Sequence, residues 1–245
     1  MKNKEVANNK RTKKLPKIIM GQLFFAITTC LLAVFLIYYA QGYRLNTNTF
    51  RLVKTGLVFL DFLPKNAQVL LNNREQECSS PCALNLIPGI YQLTISKTGF
   101  QQWSTPSIYV DSESVNAWKN ILLFRNDVTG TELTDPSEIS LLSSPIDALA
   151  KSAEKDLQSN TYEIWVGGDL VTRLSTPIGK TIWYPDFNHV IYQQDREIRI
   201  IETNGNNDQL LVKLENVTTS NFIVASRGEE LFYTDGTKFM RARIR

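Results

Sequence analysis

The side chains of this chain that could do chemistry are few. It has one histidine, His189, and three cysteines, Cys30, Cys78 and Cys82. Any Ser–His–Asp or Cys–His relay would have to be built on His189 alone. That residue ends the run Trp183-Tyr184-Pro185-Asp186-Phe187-Asn188-His189, which reads as a turn between two strands, so a solvated surface histidine is expected. Zinc sites need three or four Cys, His or carboxylate ligands, and the sequence suggests none. It contains no G-x-S-x-G, P-loop, H-E-x-x-H or C-x-x-C motif. Gly167-Gly168-Asp169 reads as a hairpin turn, because no helix follows it to cradle a phosphate. Two carboxylates suffice for glycoside hydrolysis, which keeps Asp61, Asp111, Glu163, Asp186 and Asp195 as candidates. Their places at strand ends and turns fit solvated acids better.

Two other residue types stand out. Cys78 and Cys82 sit in Glu77-Cys78-Ser79-Ser80-Pro81-Cys82 between two expected strands. Outside the cytoplasm that spacing can form a small disulfide. Free thiols or half of a metal site are the competing readings. Four tryptophans, Trp103, Trp118, Trp165 and Trp183, offer ring faces to a sugar. Trp118 is the candidate glycan contact.

These residues need elements to position them, and the first element is not globular. Ile18 to Ala40 is a run of 23 residues without a formal charge. About 20 such residues cross a bilayer core as a helix. Tyr38, Tyr39 and Tyr43 cluster at its end, where amphipathic rings favour the headgroup layer. A cleaved signal peptide has a shorter apolar core and a small-residue exit. A lipidation site at Cys30 would leave a long apolar stretch after it, so a retained signal anchor is expected. Residues 1–17 carry seven basic side chains and one acid; the remainder has 20 basic and 23 acidic residues. The basic balance therefore reports a short tail and not a nucleic-acid surface. Its placement predicts a cytoplasmic N-terminus and an extracytoplasmic remainder.

After the span the hydrophobic period becomes two. Tyr91-Gln92-Leu93-Thr94-Ile95-Ser96 alternates strictly. Leu57 to Leu63, Gln68 to Leu71, and Ile108 to Val110 are further strand-like runs, with turns at Asn72-Asn73 and Pro88-Gly89. Residues 56–112 resemble the PEGA domain of bacterial envelope proteins. The matching positions are Pro64, Ala67, Pro88, Gly89, Tyr91, Gly99 and Phe100, and asparagines stand at 66 and 73 where the family pattern differs. The resemblance implies a β-sandwich-like module with structural rather than catalytic motif residues, and core packing for Trp103.

Residues 125–145 turn polar and read as a linker. Beyond them three stretches align. Leu157 and Ile164 precede Ile191 and Ile198 by 34 residues, and these precede Phe232 and Phe239 by 41. This pattern is similar to blades of a WD- or TolB-type β-propeller, a resemblance that implies core packing for Trp165 and Trp183. Two and a half blades do not close a ring, so a shortened relative, a ring completed by homo-oligomerisation and a β-sandwich all stay open. Pro145 to Leu157 has a competing reading as a helix capped by Ser144.

The sequence thus predicts a mainly β protein with a basic tail (1–17), a transmembrane helix (18–40), a PEGA-like β-domain (44–124), a linker (125–145) and an incomplete propeller-like region (146–245). The expected role is non-catalytic binding or scaffolding in a bacterial cell envelope, without cofactor or metal. The expected partners are the lipid bilayer, an envelope protein or cell-wall glycan, and not nucleic acid. A carboxylate-based hydrolase of envelope polysaccharide is the alternative.

Overall fold

The computed structural model describes residues 15–46, 49–143, 154–216 and 218–245. Most of the basic tail and the Ser144 cap lie outside them. The described chain is mainly β, with one N-terminal apolar helix and several small antiparallel sheets. The helix, α1, runs from Leu15 to Ala40. At 1.5 Å per residue its 26 residues reach about 39 Å, and Ile19–Ala40 is apolar and long enough to cross a membrane. Thr28 and Thr29 donate their hydroxyls to the carbonyls of Phe24 and Phe25 one turn back, so neither needs water.

The chain divides into two compact units. The first holds residues up to Leu57 together with Asn85–Gly89 and Val110–Val115. It contains α1 and a hairpin of β1 (Tyr43–Asn46) and β2 (Arg51–Lys54). The second holds the rest, residues 116–245 included. No boundary between units falls at 125–145.

Two sheets follow the hairpin. One has the order β6-β3-β9, from Cys82–Leu86, Gly56–Leu63 and Val115–Leu122. The other has the order β5-β4-β7-β8, from Arg74–Gln76, Gln68–Leu71, Gly89–Ser96 and Trp103–Val110. In β3 every second residue is buried, Val58, Leu60 and Phe62 among them, as period-two alternation requires. They share the core with Val69, Leu93, Ile95 and Trp103. The β4–β5 turn is Asn72-Asn73, both left-handed at φ 50° and 61°, the conformation for which asparagine is the usual non-glycine choice. Gly89 opens β7; the left-handed glycine of this region is Gly99, at φ 81°.

The remaining strands form three meanders. The first is β11-β12-β13 (Leu157–Ser159, Glu163–Val166, Asp169–Arg173). The second is β14-β15-β16-β17 (Ile178–Trp183, His189–Gln194, Glu197–Glu202, Gln209–Lys213). The third contains β18-β19-β20 (Phe222–Ala225, Glu230–Asp235, Lys238–Arg243). The three aligned stretches are the hairpins β11–β12, β15–β16 and β19–β20. Gly167-Gly168 makes the β12–β13 turn, with φ of 60° and 90°. One face of the second sheet (Ile191, Ile198, Ile200, Leu211) packs on Phe222, Leu231 and Tyr233 of the third. The opposite face (Val190, Tyr192, Ile201) packs on Ile164, Val166 and Val171 of the first.

The segment expected to be a linker is part of this stack. Gly130–Glu132 forms β10, which pairs with β20 and completes the third sheet as β10-β20-β19-β18. A helix, α2 (Pro136–Ser143), then covers the sheet's outer face, with Leu142, Leu133 and Ile139 against Ile223, Phe232 and Phe239. Asp135 caps this helix by accepting the Ser137 N–H at 2.9 Å and its hydroxyl at 2.8 Å. Asn221 donates its amide to the Leu142 carbonyl at the other end. The signal was present in Asp135-Pro136-Ser137-Glu138, an N-cap, a proline at the first helical position and a glutamate at the third. A polar composition hid it. Leu157 at the end of the competing helix reading is in strand β11, while 144–153 lie outside the described residues.

If α2 is part of the core, Leu142→Ala should cost about 2–5 kcal/mol, read by denaturant unfolding of the full chain in detergent. A loss too small to measure would return the segment to linker status. The cap adds a pH dependence. Its hydrogen bonds to Ser137 hold the Asp135 carboxyl below the usual aspartate range. The stability it contributes is therefore present above the unfolded value, about 4, and is lost as pH falls through the lower folded one. Asp135→Asn, which still caps, should flatten that acid loss; an unchanged acid limb would remove the argument.

Candidate functional site

Strand β15 and the turn before it build a buried polar cluster at one end of the second sheet. Asp186 accepts the backbone N–H groups of Asn188 (2.9 Å) and His189 (3.2 Å) on one oxygen. Its other oxygen meets His189 Nδ1 at 2.7 Å. Phe187 takes the left-handed conformation, φ 56°, that this tight turn needs. His189 is not the solvated turn residue expected from sequence: it is 4% exposed and is the first residue of β15. Its ring meets Phe124 and Tyr184 edge-on, with centroids 5.7 and 5.9 Å away. A buried imidazole needs a polar partner, and Asp186 supplies it from three residues away.

Tyr184 extends the cluster, donating its hydroxyl to the Gly228 carbonyl at 2.8 Å. Gly228 is at φ 94°, and a Cβ there would lie 2.3 Å from the Tyr184 hydroxyl, so glycine is required. Burial pushes the Tyr184 phenol up to about 12, and it remains a neutral donor.

Strands β8 and β9 bring two tryptophans to the same place. Trp103 is 2% exposed and meets half-buried Trp118 edge-on at 5.6 Å. The Trp103 indole N–H donates to Glu202 at the end of β16. Glu202 also accepts from Asn207 (3.0 Å) and Asn204 (2.9 Å). Asn207 in turn accepts the Ser104 N–H at 3.1 Å, and Gln209 donates to the Gln102 carbonyl at 3.1 Å. Hydrogen bonds thus fasten the first β-region to the β16–β17 hairpin across about a hundred residues of sequence.

Where these parts meet there is a cleft of about 130 Å³, lined by Trp103, Trp118, His189, Glu202, Asn188 and Asn204 among others. A larger one of about 380 Å³ adjoins it, sharing Asn188 and Thr203 and adding Trp183, Phe187, Asp186, Glu154 and Lys155. Indole surface beside side-chain amides and carboxylates suits a ligand with apolar ring faces and hydroxyl edges. The chain matches no known family model and no curated protein.

The other candidate residues are dispersed. Trp183 is buried, and half-buried Trp165 donates to Glu163 at 3.1 Å on the first sheet. Glu163 also holds Arg173 at 2.6 Å and Asn160 at 2.9 Å, and these contacts lower its carboxyl below the usual range. Asp61 accepts from Ser80, Asp111 accepts the Ser112 N–H, and Asp195 sits left-handed in the β15–β16 turn. Of the five acids, Asp186 alone lines the described clefts. Among the described residues no group of three His, Cys, Asp or Glu could hold a metal ion.

Of the motif positions, Ala67 is buried and donates its N–H to the Pro64 carbonyl at 3.0 Å. Ile87 and Pro88 form the connection between β6 and β7, and Tyr91 is half-buried. Phe100 closes the turn after Gly99 and lies under the Lys97 and Arg125 cations, each 5.5 Å from its ring. Cys78 and Cys82 are joined, with Cα atoms 5.7 Å apart. The loop they close presents buried Ser80, whose hydroxyl accepts the Phe62 N–H at 2.7 Å and donates to Asp61. Cys30 lies exposed on α1.

The sequence reading did not find Glu202, Asn188 or Asn204. Their polar turns carry no motif, and they join the tryptophans only through tertiary pairing. A maleimide probe applied to the native chain should label neither Cys78 nor Cys82 until a reductant is added. Immediate labelling of both would show free thiols.

Proposed function

We propose that this protein is a membrane-tethered binding protein of the bacterial cell envelope that engages cell-wall glycan in its extracytoplasmic part. The observation that carries the glycan reading is the cleft at Trp118. There a half-buried indole stands beside Asn188, Asn204 and Glu202. Sugar rings pair an apolar face with hydroxyl edges, and amides both donate and accept toward such edges.

Tethering is supported by α1, whose apolar side chains are exposed along its length. An apolar surface of that size calls for a nonpolar environment. The cluster of cations at residues 2–17 favours a cytoplasmic N-terminus. The resemblance of residues 56–112 to PEGA domains and of the three meanders to propeller blades supports an envelope scaffold. The Asp61, Asp111 and Glu163 carboxyls hold local hydrogen bonds, and Asp186 and Glu202, at the clefts, are engaged by His189 and by Trp103, Asn204 and Asn207, which favours binding over hydrolysis.

The test is co-sedimentation of the detergent-solubilised full chain with insoluble cell-wall glycan. Wild type should bind without releasing reducing ends. Trp118→Ala, which removes a central aromatic contact, should lose about 2 kcal/mol or more of affinity, roughly 30-fold. Equal binding by the variant would remove the cleft from the argument. Release of reducing ends would support the hydrolase reading instead. No binding of wild type to glycan, with capture of an envelope protein, would leave a protein scaffold.

A further inference from the structure

The β1–β2 hairpin has a surface that nothing else in the first unit explains. Its register sets Tyr43 opposite Lys54 and Leu45 opposite Leu52, on one face. Arg44 opposite Val53 and Asn46 opposite Arg51 make the other face. Leu45 is 53% exposed, Leu52 59% and Phe50, at the turn, 81%. Phe50 is also left-handed, at φ 50°, a costly conformation for a bulky side chain that commonly marks a functional constraint.

The hairpin is attached to the end of α1. Gly42 turns the chain at φ 84°, and Arg44 donates to the Tyr39 carbonyl at 3.0 Å with its guanidinium 3.8 Å over the Tyr39 ring. Tyr43 meets Tyr38 of α1 edge-on at 5.3 Å. Both faces of the hairpin thus touch the helix end, Tyr43 from the face of Leu45 and Leu52 and Arg44 from the other. Residues 41–56 contain Arg44, Arg51 and Lys54 and no acid; Lys54 is engaged by Glu113. Arginine stems can lie along apolar surface while their heads reach phosphate.

We infer that this hairpin is a membrane-surface element. Leu45, Phe50 and Leu52 enter the headgroup boundary of the bilayer that holds α1, and Arg44 and Arg51 meet lipid phosphates. The inference rests on α1 lying in a bilayer. Given that, continuity selects the occupant: the tyrosine cluster ending α1 belongs at headgroup level, and strands of four residues extend only about 13 Å from it. The absence of acids in the segment matches an anionic surface. The hairpin would fix the rotation and depth of the helix end, which a single span leaves free.

The test uses the full chain with Cys30→Ser, in vesicles of phosphatidylcholine and phosphatidylglycerol, kept oxidised so that Cys78 and Cys82 stay joined. A nitroxide is placed in turn at Leu52→Cys, Phe50→Cys, Asn46→Cys and Val34→Cys, and its collisions with oxygen and with a water-soluble nickel chelate are compared. Oxygen should dominate at 52 and 50, and nickel at 46. Leu52→Cys keeps the Phe50 ring in place, so its reading stands even if the tip variant misfolds. Nickel dominance at both 50 and 52 would overturn the inference. Shielding from both reagents there would mean that protein, a second copy or a partner, covers the face, which also overturns it. Oxygen dominance at 34 shows the span in lipid whatever the hairpin does. Nickel dominance at 34 would locate the failure in the tether itself.

Discussion

The repeat region depends on one constraint: the second sheet is apolar on both faces and must be covered twice. Adjacent residues of β15 show it. Val190 and Tyr192 point into one core and Ile191 into the other. A strand buried on both sides loses the polar alternation of a surface strand, and this one keeps only residues whose polar groups are met internally. Gln193 is 1% exposed, donates to the Asp195 and Thr218 carbonyls and accepts the Ser220 N–H. The first and third sheets are thereby required on either side. The third then has an apolar outer face of its own, which α2 and Leu133 cover.

The same stacking explains the cleft. The pleat of β15 sends Val190 and Ile191 to opposite faces, and Asp186 fixes the turn before it by collecting two backbone N–H groups and the His189 ring. Glu202, at the far end of the paired strand β16, is held by Asn204 and Asn207 and reaches Trp103. Among the described buried side-chain atoms only Gln209 Oε1 goes without a partner, and a polar network whose members satisfy one another rigidifies the segments it joins. Here it fixes the angle between indole surface and amide groups, on which any ligand at Trp118 would depend.

In the first unit the organisation is different. The hairpin has no core of its own, and two strands of four residues are marginal in water. Its order comes from the helix end, through Arg44 on the Tyr39 carbonyl and Tyr43 on Tyr38. That dependence joins an apolar helix to a cationic, leucine-bearing ribbon in one unit.

The sequence by itself determined whatever is carried by period, length or a local turn. The apolar run became α1, the alternation around Tyr91–Ser96 became β7, Asn72-Asn73 and Gly167-Gly168 became turns, and the 34- and 41-residue spacings marked three equivalent hairpins. Each signal lies within a few residues or repeats at fixed intervals. Only the tertiary structure decided that β10 completes the last sheet from more than a hundred residues upstream, that α2 covers it, and that His189 is buried beside Asp186. It also decided that Glu202 reaches Trp103. These pairings join segments whose local composition is merely polar. The free energy that selects them is the burial of a sheet face elsewhere in the chain, which no window of sequence contains.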